Sequence, residues 1–143
     1  MLLYPATVIP DGDTYVVLFP DLPYTHTNGS SPEDALSHAP DALQLGISAL
    51  MEQGATVPLP SKPTGLGAVL VALPSVLVSA KVELYMAMQT AGVRKAELAR
   101  RMGIHKQQVE RLMDIDHKSR IEQLEAAFAC LRMRMVVEIQ SAA

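Results

Sequence analysis

The sequence feature that most constrains the fold is the segment 94–113, which has the pattern of two short helices around a tight turn. Leu98, Ala99 and Met102 fall on one face of the first helix. Gly103 follows where a helix ends in the left-handed conformation, which glycine adopts without a steric penalty. This spacing predicts a helix-turn-helix, whose second helix enters the major groove of DNA.

The second helix of this pair can be divided into faces by angle. At about 100° per residue, Val109, Leu112 and Met113 share an arc that must face a core. Gln107 and Arg111 point away from that arc. Glutamine suits adenine and arginine suits guanine, because each can make two hydrogen bonds to one base. The alternative is a two-helix fragment of an ordinary bundle with a polar face in solvent.

The predicted DNA contacts fall into two groups. The residues expected to read base edges are Lys106, Gln107 and Arg111. Phosphate contacts position a protein without specifying a sequence, and the residues expected to make them are Lys95, His105, Gln108, Lys118 and Ser119. One domain makes few such contacts, so tight binding predicts a homodimer or higher oligomer on half-sites about one DNA turn apart.

The composition is that of a globular chain of one or two small domains. Of 143 residues, 49% are hydrophobic and 19% are charged, which excludes a disordered chain. The single cysteine, Cys130, cannot form an internal disulfide, which fits a reducing cytoplasm. We expect no signal peptide and no membrane span, because the chain reaches Pro5 without a basic region and no apolar segment is long enough.

Charge is distributed unevenly between the two halves of the chain. Residues 1–74 hold seven acids and one lysine, a net charge of −6, and residues 75–143 hold eleven bases and eight acids, a net charge of +3. The basic half suits phosphate, and the acidic half suits a basic partner. Chance asymmetry in a short chain is the alternative.

Residues 1–74 have the pattern of a small sheet covered by a helix. Pro5 predicts that the first strand lies at an edge or lacks one ladder bond. Ser31 and Pro32 have the pattern of a helix start, and Pro40 predicts a kink or a late restart. The whole is a β-β-β-α-β unit of the α+β class. Its strands are predicted at 2–9, 14–19, 24–28 and 66–73.

Residues 75–143 have the pattern of helices. A helix ending near Gly92 would support the pair at 94–113, and another is predicted over 120–131. Over 131–139, apolar residues then alternate with others at a period of two, which favours a strand. Such a strand would pair with its copy in a second subunit. A helix that continues and frays is the alternative.

Several short runs occur in order along the chain: YPAT at 4–7, YVVLFPDLP at 15–23, TNGSSPEDA at 27–35 and VPLPS at 57–61. Together with the helix pair at 98–113, their order and spacing resemble the HicB-type antitoxins of HicAB toxin–antitoxin systems. The resemblance covers nearly the whole chain. Pro40 and the region of Tyr24 depart from the family pattern.

The resemblance implies a protein of two parts. Residues 1–74 would be a partial ribonuclease H-like domain that binds and blocks a HicA-type toxin, which cleaves messenger RNA. Residues 75–143 would dimerise, bind the operon's own promoter and repress it. An RNA-binding toxin should be basic, in agreement with the acidic half. The surface expected to contact it is formed by Asp21, Glu33, Asp34 and Asp41, for each of which an ordinary solvated face is the alternative.

We expect no catalysis, no metal and no cofactor. A ribonuclease H site needs several carboxylates on strands to hold two metal ions, and the predicted strands contain no Asp or Glu. The four histidines and Cys130 lack metal-ligand spacing. Two other functions stay open: a stand-alone helix-turn-helix regulator with a ligand-sensing N-terminal domain, and a degenerate or active nuclease.

Overall fold

The computed structural model describes residues 1–142 and has the α+β architecture that the sequence predicts. All four strands lie in the first half of the chain and form a single sheet, whereas the last four helices form an all-helical part. In chain order the elements are β1 (Leu3–Asp11), β2 (Thr14–Leu18), β3 (His26–Gly29), α1 (Pro32–Ser37), α2 (Ala39–Glu52), β4 (Val69–Ala72), α3 (Val76–Ala91), α4 (Lys95–Met102), α5 (Lys106–Met113) and α6 (Ile121–Cys130).

The sheet is antiparallel, with the strand order β3-β2-β1-β4. β1 and β2 correspond to the predicted strands 2–9 and 14–19 and form an antiparallel hairpin, which turns at Gly12 with a φ of +60°. β1 is an inner strand, but its first half, residues 3–6, pairs only with β4. Pro5 therefore lies where one side of β1 carries no ladder, which suits a residue that cannot donate a ladder bond.

The helix predicted after β3 is divided into two. Ser31 caps α1, because its hydroxyl oxygen accepts a hydrogen bond of 3.0 Å from the Asp34 N–H. His38 separates α1 from α2, and Pro40 lies in the first turn of α2. The restart predicted from Pro40 is confirmed, since a proline is tolerated in the first turn of a helix and not in its interior.

Both of these helices contact the sheet. α2 buries Ala39, Leu43 and Ile47 completely. α1 lies so close to β3 that a Cβ atom at Gly29 would overlap the backbone of Ala35. Gly29 is thus a position where only glycine fits without moving the helix.

Helix α3 joins the part that contains the sheet to the helical part. Its first turn is capped by the Ser75 hydroxyl, which accepts a hydrogen bond of 3.1 Å from the Val78 N–H, and it ends at left-handed Gly92. A continuous apolar cluster extends from the sheet through α3 to α6. The two halves share this core, and the division into domains at 1–74 and 75–143 stays a prediction.

The C-terminal segment forms neither of the predicted elements within the single chain. α6 ends at Cys130, and Arg132 adopts a φ of +59°, a left-handed conformation that stops a helix. Residues 133–142 contain no helix and no strand. The prediction of a continued helix is therefore wrong. Pairing of the segment with a second copy stays a prediction.

Candidate nucleic-acid interface and acidic surface

Helices α4 and α5 are joined by a three-residue turn, residues 103–105. Gly103 ends α4 in the left-handed conformation, with a φ of +68°. The Ile104 N–H then donates a hydrogen bond of 3.0 Å to the carbonyl oxygen of Ala99. This is the glycine-terminated helix end that the sequence predicts. The two helices pack against each other across it.

Helix α5 has one buried face and one exposed face. Val109 and Leu112 are buried, at 0% and 2% exposure. Gln107 and Arg111 are exposed, and so is Lys106 at the start of the helix. This division agrees with the angular pattern of the sequence. The three exposed residues can contact a partner without disturbing the core, and their contact with DNA stays a prediction.

The first turn of α5 is capped by one of the residues predicted to contact phosphate. Gln108 Oε1 accepts a hydrogen bond of 2.9 Å from the backbone N–H of His105. The carboxamide NH₂ group of Gln108 is left to donate elsewhere. The His105 side chain is exposed beside the helix N-terminus, where the helix dipole favours anions. A phosphate group would be favoured at this end of α5.

The other three residues predicted to contact phosphate differ in their surroundings. Lys95 is exposed at the start of α4 and, with Glu110 and Asp116, lines a cleft of about 280 Å³ between α2 and α5. Lys118 is exposed in the loop after α5. Ser119, in the same loop, is half-buried and its hydroxyl is bonded within the protein. That bond weighs against the phosphate contact of Ser119, which stays a prediction.

The bonding partner of Ser119 is Lys81, a residue that the sequence analysis did not identify. The Lys81 side chain lies on α3, is 0% exposed, and donates to Ser119 Oγ over 2.8 Å. The ammonium group also donates to the carbonyl oxygens of Arg111 and Asp114, at 2.8 and 2.7 Å. The available signal was a single lysine within an apolar helical run.

Two arginines of α4 are held by an acid on the same helix. Glu97 accepts hydrogen bonds from Arg100, at 2.6 and 3.0 Å, and from Arg101, at 3.0 Å. These bonds lower the pKa of Glu97 to about 2. Arg101 also donates to the carbonyl oxygen of Cys130, which ties α4 to the end of α6. These arginines are thus already engaged within the protein.

The four acids predicted to contact a toxin are not equivalent. Glu33 and Asp41 are exposed in the first turns of α1 and α2. Asp21 instead accepts a hydrogen bond of 2.9 Å from the Ser61 N–H and so anchors the loop before β4. Glu33 and Asp41 are therefore the acids whose charge is presented without an observed structural task.

Asp34 also has a structural task. It accepts hydrogen bonds from the N–H and the hydroxyl of Ser30, at 2.8 and 3.2 Å, and these lower its pKa. His38 Nε2 lies 3.4 Å from the other carboxylate oxygen. The cluster is exposed, and these bonds stabilise the start of α1.

Large apolar side chains are also exposed on the N-terminal half, and the sequence analysis did not identify them as contacts. Tyr24 is 99% exposed, in the loop between β2 and β3. Leu45 on α2 and Leu59 in the loop before β4 are 72% and 74% exposed. Aromatic side chains are enriched at protein interfaces relative to the rest of the surface. The signal for Tyr24 was an aromatic residue directly after a proline-rich turn.

The described residues show two further features that bear on function. Within residues 1–142, no group of three or more His, Cys, Asp or Glu side chains is placed to hold a metal ion. None of the helices in that range has the length and apolar character needed to cross a bilayer.

Comparisons with known proteins identify relatives of the chain. A family model described as the HicB-like antitoxin of bacterial toxin–antitoxin systems matches residues 3–83. The chain is 34% identical over 122 residues to antitoxin HicB of Pseudomonas fluorescens strain Pf0-1, which covers 85% of this chain and 83% of that protein. It is 33% identical over 129 residues to antitoxin HicB of Escherichia coli strain K12, in an alignment that covers 90% of this chain and 92% of that protein.

Solved structures of similar proteins match about half of the chain with modest scores. The crystal structure of the Burkholderia pseudomallei antitoxin HicB matches with a TM-score of 0.41 at 30% identity, over 52% of this chain and 64% of that chain. A HicA3–HicB3 toxin–antitoxin complex matches with a TM-score of 0.37 at 26% identity, over 49% of this chain and 93% of the matched chain. Because the family model spans more than half of the sequence and the relatives align over most of their length, the chain belongs to the HicB-like family of antitoxins of bacterial toxin–antitoxin systems.

Proposed function

We propose that this protein binds and neutralises a HicA-type toxin, which cleaves messenger RNA, and that it represses its own operon by binding promoter DNA. Residues 1–74 form the toxin-binding domain, of a partial ribonuclease H-like fold, and residues 75–143 form a helix-turn-helix domain. Membership of an antitoxin family supports the first activity. Both activities belong to the cytoplasm, where the operon and its messenger RNA are.

The observation that carries the DNA-binding proposal is the exposed face of α5. Three side chains that suit base edges, Lys106, Gln107 and Arg111, point to solvent from a helix whose opposite face is buried. The preceding helix and the left-handed glycine turn complete the arrangement typical of DNA-binding helix pairs. His105, Gln108, Lys95 and Lys118 are proposed to hold phosphates around this face.

The toxin contact is proposed to be acidic with an apolar component. Glu33 and Asp41 supply free negative charge, and Tyr24 supplies a large exposed aromatic surface. A toxin that binds RNA carries positive charge, so its association would be steered by these acids. Asp21 and Asp34 contribute to the same negative field, although each also holds a local turn.

The N-terminal domain is proposed to be a scaffold without catalysis. Among β1 to β4, only β1 carries an acid, Asp11, which lies exposed at the hairpin. A two-metal nuclease site needs several carboxylates that converge from strands. The relatives are named antitoxins, which favours neither a nuclease nor a stand-alone regulator that senses a small ligand.

The protein is also proposed to act as a homodimer or higher oligomer. The alternating apolar pattern covers residues 131–139, and residues 133–142 form no strand within the chain. Backbone groups of 134–142 have no backbone hydrogen bond to any other described residue. Pairing of two copies along this segment would satisfy these groups and would place two helix-turn-helix units on successive half-sites.

Point variants of the full-length chain separate the two activities better than truncation, because the two halves share one apolar core. The test combines co-purification of the chain with the product of the adjacent gene and binding to the promoter fragment of the same operon. We expect Gln107→Ala with Arg111→Ala to abolish promoter binding and to keep the toxin complex. We expect Glu33→Lys with Asp41→Lys to weaken the toxin complex and to keep promoter binding. If wild-type protein binds neither partner, the proposal is rejected.

A further inference from the structure

Lys81 is the only charged side chain among residues 1–142 that is completely buried. Its ammonium group has three N–H donors and makes three hydrogen bonds, to Arg111 O (2.8 Å), Asp114 O (2.7 Å) and Ser119 Oγ (2.8 Å). Every donor is thus used. Removing this ammonium group would take one donor from each of its three acceptors.

The end of α5 is built differently from the ends of α3 and α4. Those two helices stop at left-handed glycines, Gly92 and Gly103, whose geometry satisfies the last carbonyl groups. α5 stops at Asp114, whose backbone is extended, with φ −80° and ψ 111°. Lys81 adds a donor to the carbonyl oxygens of Arg111 and Asp114, which also accept from the Asp114 and His117 N–H groups at 3.3 and 3.1 Å, and it places a positive charge at the negative end of the helix dipole.

We propose that Lys81 is a positioning residue for DNA binding: it locks α5 and the loop 114–119 onto α3 and so sets the affinity for the operator without touching DNA. The inference rests on the proposed function, and it names a determinant of specificity that lies inside the protein. Its acceptors explain the effect. One is the carbonyl oxygen of Arg111, whose exposed side chain is proposed to read a base, and another is Ser119, in the loop that carries Lys118.

The local electrostatics agree with this assignment. Burial lowers the pKa of Lys81, and the carboxylate of Asp114 opposes that shift. A charge in this position carries a desolvation cost, which is offset only when all of its hydrogen bonds are made. A leucine or methionine at position 81 would fill the same space without that cost. The lysine therefore serves the end of α5 and the loop after it.

Lys81→Met tests the inference in the full-length protein, with Leu43→Ala as a matched control. Both positions are completely buried, but Leu43 lies on α2 against the sheet. The first readout is hydrogen exchange of the free protein. We expect the amides of Asp114 and His117 to exchange at least about tenfold faster in Lys81→Met, relative to amides of β1, and not in Leu43→Ala. Unchanged protection of these amides overturns the inference, whatever the DNA result.

The second readout is the ratio of affinity for the operator to affinity for an unrelated duplex. A misplaced recognition helix loses base contacts and keeps phosphate contacts, so we expect this ratio to fall at least about tenfold in Lys81→Met. An equal fall in Leu43→Ala would show a general effect of stability and would reject the positioning role. If wild-type protein shows no preference for the operator, the proposed function fails. The hydrogen-exchange measurement still tests whether Lys81 holds the end of α5.

Ser119→Ala provides a second, milder variant in case Lys81→Met does not fold. It removes one acceptor of Lys81 and leaves two. If Ser119 supports the positioning of α5, the ratio of affinity for the operator to affinity for an unrelated duplex falls. If Ser119 holds a phosphate instead, affinity weakens equally for all sequences and the ratio is unchanged. The second outcome counts against the inference.

Discussion

The Tyr85 hydroxyl donates a hydrogen bond of 2.7 Å to the carbonyl oxygen of Ala55, which joins the helical part to the part that contains the sheet. Gln89 Nε2 donates to the same oxygen at 3.1 Å and to the Tyr85 hydroxyl at 3.0 Å. The three groups form a small network above the shared apolar core. The two parts are therefore expected to unfold together.

Tyr85→Phe removes this hydroxyl and keeps the ring. We expect a loss of about 0.5–1.5 kcal/mol in the free energy of unfolding, because Gln89 can still satisfy the Ala55 oxygen. Urea unfolding followed by circular dichroism measures it, and should show one cooperative transition. Tyr24→Phe is the control, since Tyr24 is 99% exposed. Two separate transitions in the wild-type protein would contradict the shared core.

Arg111→Ala tests the proposed base contact. The side chain is exposed at the end of the recognition face, and we expect a loss of about 1–3 kcal/mol in operator affinity with relaxed preference at one base position. Fluorescence anisotropy across single-base operator variants measures both effects. Arg100→Ala is the control, because Arg100 is paired with Glu97. Wild-type affinity in the Arg111 variant would show that α5 does not face DNA as proposed.

Much of this candidate interface could be predicted because it depends on local rules. The apolar period of 94–113 and the glycine at 103 determine where α4 ends and which face of α5 is buried, and both follow from helix geometry alone. Pro40 likewise marked the restart between α1 and α2. These features need no knowledge of the partners that each helix packs against.

Features that depend on distant contacts were not predictable. The burial of Lys81 could not be predicted, because its acceptors at the end of α5 lie 30 or more residues later in the chain. The alternating pattern of 131–139 suits a strand, but a strand needs a neighbour, and none is available within the described chain. Asp21 and Asp34 were grouped with freely exposed acids because their bonds to Ser61 and Ser30 depend on loop geometry.

The Glu97 carboxylate predicts a specific dependence of stability on pH. Hydrogen bonds from Arg100 and Arg101 lower its pKa from 4.5 to about 2 in the folded protein. The folded state therefore holds the carboxylate charged more readily than the unfolded state does. The resulting stabilisation is complete when the pH is above 4.5, the pKa of Glu97 in the unfolded state, and it is lost as the pH falls from 4.5 towards 2.

Glu97→Gln provides the measurement. We expect the wild-type protein to be more stable than this variant at pH 7, and the difference to shrink as the pH falls below 4.5 and to be lost once the pH is below about 2, the pKa of Glu97 in the folded state. The difference should also shrink in high salt, because the three side chains are at least partly exposed to solvent. Glu122→Gln, in the first turn of α6, is the control for the loss of a surface acid. A difference that is constant across this pH range would show that the bonds do not persist in solution.

The acidic surface predicts a charge-dependent toxin complex. We expect Glu33→Lys with Asp41→Lys to weaken toxin binding at least about tenfold, mainly through a slower association rate that depends on ionic strength. Surface plasmon resonance at two salt concentrations measures this, with operator binding as a check of folding. Asp11→Lys with Asp13→Lys is the matched control, because it reverses two exposed acids on the β1–β2 hairpin. An equal effect of this control would place the contact elsewhere or make it a matter of net charge.

The C-terminal segment predicts how the chain dimerises. Val137 lies within the alternating residues 131–139 and is 53% exposed. A proline there removes an N–H donor and disfavours a paired strand, so we expect Val137→Pro to raise the dimer dissociation constant at least about tenfold, or ~1.4 kcal/mol. Sedimentation equilibrium measures the constant, and Ala142→Pro, near the end of the segment, is the control.

Because two half-sites are read together only by a dimer, affinity for the full operator should fall more than affinity for one half-site. Unchanged dimerisation in Val137→Pro would assign the contact between subunits to another surface, and the exposed segment would then lack the strand partner that its sequence pattern predicts.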